Sequence, residues 1–590
     1  MKNNIKNLKR LYIYIKPYKI HFIIALLMTL IASIANGVIP LIIGLGITEM
    51  SSNVADIVKG VEGATINYKY IGGIIGAFLG IGIITQISQY LSIAFMTNVV
   101  QNSMKDLRRD ITNKINRLPI SYFDSKKQGN ILSIVTNDID AIVNALQQSV
   151  IQVVTAILGI IFAVGMMIYI SIPMALITML IIPLSIIVSK TIVKKSQKYF
   201  MNQQNALGDL NGYIGEAYNG FNVIKLYGKE EDTIKEFEAI NNRLTQNGFK
   251  ASFVSGLMMP LVGAISYFAY ISMAVLGGYY AIIGVLTVGN MQAFIQYIWQ
   301  VNQPISQITQ LSNILQTASA ATMRIFSILD EEEEPEEINT LELPNKVEGY
   351  VTFENVCFGY SKDKTLIKNL SFSVKKGEKV AIVGPTGAGK STLINLLMRF
   401  YDVDSGTIKI DGIDTKNMKR SDVRSIFGMV LQDAWLYSAS IKENIKFGKL
   451  DATEDEVVNA AKIANVDHFI RTLPNGYNME LNEDTSNISL GQKQLLTIAR
   501  AVISDPKILI LDEATSSVDT RLELLIQKAM NSIMKGRTSF IIAHRLSTIR
   551  DADIILVMDK GSIIEHGNHD ELIAKKGFYE KLYNSQFANS

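Results

Sequence analysis

The sequence predicts a multi-domain chain. An all-α transmembrane domain of six helices, with long cytosolic helical extensions, is followed by an α/β domain built around a phosphate-binding loop. Three observations predict it. Six apolar stretches before residue 312 each supply the ~20 residues that a helix needs to cross the hydrocarbon core. The run Gly384-Pro385-Thr386-Gly387-Ala388-Gly389-Lys390-Ser391 meets the pattern G-x-x-x-x-G-K-[ST] without a mismatch. From Tyr350 onward, short Val/Ile/Phe runs alternate with helical stretches. At 590 residues, 48% of them hydrophobic, the chain is too long for one ordinary domain and too apolar to lie wholly in water.

The spans fall at about 20–47, 71–97, 149–170, 174–193, 253–280 and 289–311. Only an uncharged turn around Ser171-Ile172-Pro173 separates the third and fourth, and only the uncharged stretch from Ile283 to Gly289 separates the fifth and sixth, which suits the outer face. The segments 98–148 and 194–252 are long, charged and helical in pattern, and the N-terminus carries Lys2, Lys6, Lys9, Arg10, Lys16 and Lys19. The positive-inside rule places these segments and both termini in the cytosol, with the protein in the cell membrane. The apolar stretch from Phe22 is too long for a signal-peptide core and shows no small-residue cleavage site, so it is expected to remain as the first membrane helix. Before it, lysines interleaved with Leu8, Leu11, Tyr12 and Ile15 suit either an amphipathic helix at the inner surface or a solvated basic tail. The expected division is an N-terminal elbow helix over 1–19, the transmembrane domain over 20–329, a linker over 330–346 and the nucleotide domain over 347–590.

A net charge of +3 is small for this length, so composition offers no case for a nucleic-acid partner. The single cysteine, Cys357, can form no internal disulfide and is expected in a buried strand. The acidic run Asp330 to Glu337, followed by Pro344, breaks the helical pattern and is expected as a solvated linker. In the sixth span Gln292, Gln296, Gln300, Gln303, Gln307 and Gln310 recur in steps of three and four, which lines them along one helical face. Amides facing lipid would be costly, so this face is expected to line the bundle interior or a watery pathway. Trp299 and Tyr297 beside it are expected to pack against neighbouring helices rather than to stack on a ligand.

The glycine-rich loop follows the apolar run Val380 to Val383 and opens a helix at Ser391, the strand-loop-helix context that the pattern requires. Its curled backbone, from Gly384 through Pro385, Thr386, Gly387, Ala388 and Gly389, would aim amide N–H groups at phosphate oxygens. Lys390, Ser391 and Thr392 open the helix N-terminus, with Lys390 reaching phosphate and Ser391 reaching Mg²⁺. A second apolar run, Ile508 to Leu511, ends in Asp512 and Glu513. Acids at the C-terminal end of a buried parallel strand face the crevice where α/β sheets bind ligands, so Asp512 can hold Mg²⁺ and Glu513 can deprotonate the attacking water. The same placement also suits helix N-caps, and spacing alone leaves both readings open.

Between the two runs lies Ile488-Ser489-Leu490-Gly491-Gln492, close to the L-S-G-G-Q signature of ATP-binding cassette (ABC) proteins. Over nearly its whole length the chain resembles an ABC half-transporter of the exporter type. The resemblance implies a P-loop NTPase domain with a helical subdomain, ATP and Mg²⁺ as cofactors, and hydrolysis coupled to transport. Residue by residue, Gln432 matches the Q-loop residue that touches Mg²⁺, Asp519 in Ser517-Val518-Asp519 the D-loop, and His544 in Ile-Ala-His544-Arg the switch histidine. Tyr360 matches the aromatic on which adenine stacks. In the family two cassettes pair head to tail, so Ser489, Gly491, Gln492 and the following helix would close on a partner's nucleotide, and one chain makes half of each site. The segments Leu118 to Asp124 and Glu216 to Gly228 resemble intracellular loops that couple the cassettes to the membrane helices.

Two features depart from the family pattern. Ile488 and Leu490 stand where the signature has Leu and Gly, and Asn482 to Asn487 lack the usual T-E-V-G-E type segment before it. In exporters of paired non-identical halves one composite site is often degenerate, with an altered signature. The resemblance therefore implies a non-identical half-transporter as partner, with Glu513 and His544 marking this chain as the half with the competent catalytic glutamate; a second copy of this chain is the alternative. The expected cargo is a small or amphipathic molecule such as a drug, lipid or peptide. The competing readings are a lipid flippase and a gating membrane subunit with little turnover. The six spans exclude a soluble DNA-repair-type ABC ATPase, and the fusion order disfavours an importer.

Overall fold

A computed structural model of the chain describes residues 9–126, 128–335, 337, 340–344, 346–361, 364–431, 434–482, 487–512, 520–543 and 549–587. They form two compact units, one of residues 1–118 and 126–333, the other of residues 119–125 and 334–590.

The first unit is helical. Its long helices are α1 (Lys19–Val58), α2 (Tyr68–Ile115), α4 (Ile139–Ile170), α5 (Ile172–Asn219), α7 (Glu230–Gly256), α8 (Met258–Ile282) and α9 (Val288–Leu329). The short helix α6 (Phe221–Tyr227) sits at one of the turns, and the short helix α3 (Ile120–Ser125) belongs to the second unit. Five helical stretches are long and apolar enough to cross a membrane among the described residues, and the sixth expected span falls within α9. Helices α1, α2, α4 and α9 pack on one another, while α5 packs with α7 and α8. Spacing explains the packing: Met96, Val100, Met104, Leu107 and Ile111 recur in steps of three and four along α2, and all are buried against Ile139, Ile142 and Ile325. Each such side chain contributes about 1.5–3 kcal/mol on burial.

Two of these helices start on a capping side chain. Thr287 accepts from the amide of Asn290 at 3.1 Å to start α9, and Asn67 does the same for Tyr70 at the start of α2. A single extended residue, Ser171, turns α4 into α5, with Pro173 in the first turn of α5, where its missing N–H is harmless.

The second unit holds a six-stranded sheet and a four-stranded antiparallel one. The larger runs in the order β10 (Ser562–Gly567), β9 (Ile554–Asp559), β3 (Lys379–Val383), β8 (Thr538–Ile542), β7 (Ile508–Asp512), β6 (Phe427–Val430). All its neighbours are parallel except β10 on β9. The smaller has the order β2 (Ile367–Val374), β1 (Val351–Phe358), β4 (Ser405–Ile410), β5 (Ile413–Asp414). The apolar runs are continuous because both faces of the parallel strands are covered. Ala381, Leu509, Leu511 and Ile541 face a layer of helices, and Val380, Ile508, Ile510 and Phe540 face the smaller sheet and α10 (Lys390–Leu397).

One expectation is corrected here. Cys357 is only half-buried, because register shifts in β1 between Phe353, Val356 and Phe358 turn Val356 and Phe358 into the core. Its sulfur instead lies 3.3 Å from both Asn369 Oδ1 and the Asn369 amide. The acidic run follows the end of α9 and is exposed from Asp330 to Glu333, yet several of its carboxylates are paired. Asp330 accepts two bonds from Arg10, at 2.6 and 2.7 Å, and Glu333 pairs with Lys114 at 3.0 Å. In the second unit Glu334 pairs with Arg424 at 3.0 Å, and Glu337 with Arg399 at 3.0 Å and Arg420 at 3.2 Å.

Candidate nucleotide site

Strand β3 lies inside the larger sheet, and its chain leaves at the C-terminal edge into the glycine-rich loop. Three glycines hold it with positive φ: Gly384 at +152°, Gly387 at +82° and Gly389 at +103°. A Cβ on Gly384 would stand 2.2 Å from the carbonyl oxygen of Met558, and one on Gly389 3.0 Å from Ile367 Cδ1. Only glycine meets both the turn and the approach. Between them Ala388 is buried, its carbonyl accepting from Gly561 N at 3.0 Å, while Pro385, Thr386 and Gly387 are exposed.

Lys390 opens α10 and folds back over the loop. Its Nζ donates to the carbonyls of Gly384 at 2.8 Å and Pro385 at 3.1 Å. Burial pushes the Lys390 ammonium below the ordinary lysine range, and the nearby Asp512 carboxylate opposes that shift. Ser391 is exposed beside it, and Asp512 is half-buried at the end of β7. Curled backbone, helix N-terminus and a partly desolvated ammonium fit a phosphate group, and an exposed hydroxyl with a strand-end carboxylate suits a hard cation.

Tyr360 is half-exposed, packed edge-on against Phe358 at 5.0 Å and Tyr401 at 5.1 Å between ring centroids. Its hydroxyl lies 3.2 Å from Thr392 Oγ1, which ties the aromatic to the first turn of α10. Sequence reasoning missed Tyr401. Its hydroxyl donates to Asp124, in the 119–125 segment that belongs to this same compact unit. Burial, then the Asp124 carboxylate, raise the Tyr401 phenol well above its ordinary value. The segment that resembles a coupling loop thus shares one side chain with the Tyr360 cluster.

Ser489 caps α11 (Leu490–Ile503) in a reciprocal box. Its backbone amide donates to Gln492 Oε1 at 2.8 Å, and its hydroxyl accepts from Gln492 N at 3.4 Å. Gly491 is buried inside the domain, whereas Leu490 is exposed. Further along α11, Arg500 donates to Asn444 O at 2.9 Å and to Trp435 O at 3.1 Å, bracing the chain that follows Gln432. Gln432, Glu513, Asp519 and His544 lie outside the described residues.

The structure therefore brings the loop, Lys390, Asp512 and Tyr360 to one unit, with the Ser489 helix in the same fold. Known proteins match it along both units. Residues 22–305 match the model of the ABC transporter transmembrane region, and residues 367–516 that of the ABC transporter domain. A fatty acid ABC transporter ATP-binding/permease protein of Mycobacterium bovis is 46% identical over 531 residues, covering 90% of this chain and 84% of that protein. The chain belongs to the ABC transporter family.

Two Bacillus subtilis relatives extend the match. One, an uncharacterised ABC transporter ATP-binding protein, is 40% identical over 98% of this chain and 94% of its own length. The other, a putative multidrug export ATP-binding/permease protein, is 33% identical over 99% of this chain and all of its own. This ABC transporter is a fused exporter-type half-transporter: a helical membrane region and an ATP-binding domain in one chain, with ATP hydrolysis coupled to transport.

Proposed function

We propose that this half-transporter exports an amphipathic small molecule with an apolar body across the cell membrane by alternating access, working as a dimer with composite ATP sites. The observation that carries the reading is one chain holding both a glycine cradle topped by Lys390 and a set of apolar helices that enclose a polar, charge-free cavity. The relatives named for fatty acid transport and multidrug export support an apolar cargo. Lys390 and the loop amides from Gly384 to Gly389 bind the phosphates, Ser391, Gln432 and Asp512 hold Mg²⁺, and Tyr360 stacks on adenine. Glu513 activates water, and His544 and Asp519 complete the site. Ser489, Gly491 and Gln492 face the partner's nucleotide. Both termini and the ATPase domain lie in the cytosol, with residues 1–19 along the inner surface and 330–346 joining the domains.

Leu490 favours a non-identical partner. Its exposed side chain stands where the family signature has a glycine, adding bulk where a partner's nucleotide would approach. Both points are open to test. Inside-out vesicles carrying the protein with its co-purifying homologue should accumulate a fluorescent acyl amphiphile on addition of Mg-ATP, and a Lys390→Ala variant should not. Accumulation without nucleotide, or equal accumulation by the variant, would sink the proposal. Mass analysis of the purified complex reports whether the second chain differs.

A further inference from the structure

Helices α1, α2, α4 and α9 enclose a cavity of about 280 Å³. Its walls carry the amides of Asn36, Gln86, Gln89 and Gln300 and the hydroxyls of Ser33 and Thr155, among others. Ser33 is 5% exposed, and among the described residues its hydroxyl has no hydrogen-bond partner. Among the described residues the Gln300 side chain makes one long hydrogen bond, 3.4 Å from Nε2 to Asn36 O. Pro304, also in the wall, has no N–H to give to the carbonyl of Gln300. These residues sit near the middle of their apolar spans, where an unfilled hydrogen-bonding group is costly.

Charge is the second fact. No Asp, Glu, Lys, Arg or His occurs between residues 22 and 48, 70 and 104, 141 and 170, or 288 and 323, the stretches that build the cavity. An ion brought here would lose its hydration with no counter-charge, at a cost of several kcal/mol. A neutral group that both donates and accepts would find partners on four helices. The volume lies just below the ~300–1,000 Å³ of pockets that enclose a drug-sized molecule, so the cavity suits a head group rather than a whole amphiphile.

We propose that this cavity is the head-group site of the transport pathway, selective for an uncharged, hydroxyl- or amide-bearing polar head on an apolar chain. The assignment rests on the export reading above, but its test is separable. The assay is binding to the purified transporter complex in nanodiscs, with 1-monomyristoylglycerol as probe and two single-chain ions, tetradecyltrimethylammonium and tetradecyl sulfate, as comparators. The neutral probe should bind more than about tenfold tighter than either ion. Gln89→Leu and Gln300→Leu, which keep size and remove the amide, should each weaken the probe by about fivefold or more. Equal affinity for ions and neutral probe in the unaltered protein would overturn the proposal without recourse to any variant. Unchanged affinity in both variants would do the same. Selective binding with no ATP-driven movement of the probe in vesicles would leave the site standing and remove the export reading.

Discussion

Two glycines of the phosphate loop separate backbone strain from steric approach. Gly387 has φ +82° with nothing within 4 Å of the place a methyl group would take, so Gly387→Ala meets only the positive φ. That costs about 1–2 kcal/mol. Gly384→Ala meets a positive φ of +152° and also puts its methyl 2.2 Å from Met558 O, far inside the 3.4–4 Å of ordinary contact. The obstacle is backbone at the end of β9, next to the pairing of Val383 with Val557, so relief requires β3 and β9 to part. Such overpacking adds about 1–3 kcal/mol or more. Thermal unfolding of the full-length variants in detergent reads the difference. At about 2–4 °C per kcal/mol for a domain of this size, Gly387→Ala should lower the midpoint by a few degrees and Gly384→Ala by about twice that. A fluorescent ATP analogue should bind Gly387→Ala and bind Gly384→Ala poorly. Equal midpoints and equal binding would refute the argument that β9 confines the loop.

Glu513→Gln should keep ATP binding and cut turnover by at least about a hundredfold, the scale of general-base catalysis, as measured by phosphate release from the dimer. Tyr401→Phe removes the bond to Asp124 and leaves the ring against Tyr360. We expect at most about 1 kcal/mol of lost stability, with cargo-stimulated ATPase reduced more than basal ATPase; equal reduction would argue against coupling through this bond. Asp402 is pushed up by burial, but Arg399 and Arg420 more than offset this and hold its carboxyl below the ordinary aspartate range. Its contribution is fully present above the unfolded aspartate value and is lost as pH falls through the folded one. Asp402→Asn should therefore cost about 1 kcal/mol near neutrality, discounted for its partial exposure, and flatten the acid limb of a stability–pH curve.

What the sequence made legible follows how local each feature is. The fold class was readable because apolar spans and alternating Val/Ile runs are each written in consecutive residues, and the loop from Gly384 to Ser391 is one unbroken stretch. Cys357 misled because a strand's alternation predicts its face only while register is kept, and the shifts around Val356 break it. The pairing of the acidic run was hidden for a different reason. Its composition is that of a solvated linker and Asp330 to Glu333 are exposed, but its partners Arg10, Lys114, Arg399, Arg420 and Arg424 are scattered from one end of the chain to the second unit.

The same reasoning explains why the polar cavity and the Tyr401 contact escaped notice. The glutamine stripe of α9 is visible as a period, and among its described side chains Gln300 lines the cavity. Gln292 and Gln296 are half-buried, and the side chains of Gln303, Gln307 and Gln310 lie outside the described residues. Tyr297, one residue beyond Gln296, is fully buried and donates to Gly37 O at 2.7 Å, so one turn of α9 is bolted to α1 while the next faces open space. The other amides come singly or in pairs, Asn36 on α1 and Gln86 with Gln89 on α2, too few on any one helix to make a pattern. Isolated polar residues in an apolar span look like tolerated exceptions until packing sets them side by side. Tyr401 and Asp124 are 277 residues apart, and nothing local to either announces the other. A polar residue in an apolar span is therefore best weighed by how many other spans carry one at a similar depth, because a shared cavity relieves them all at once.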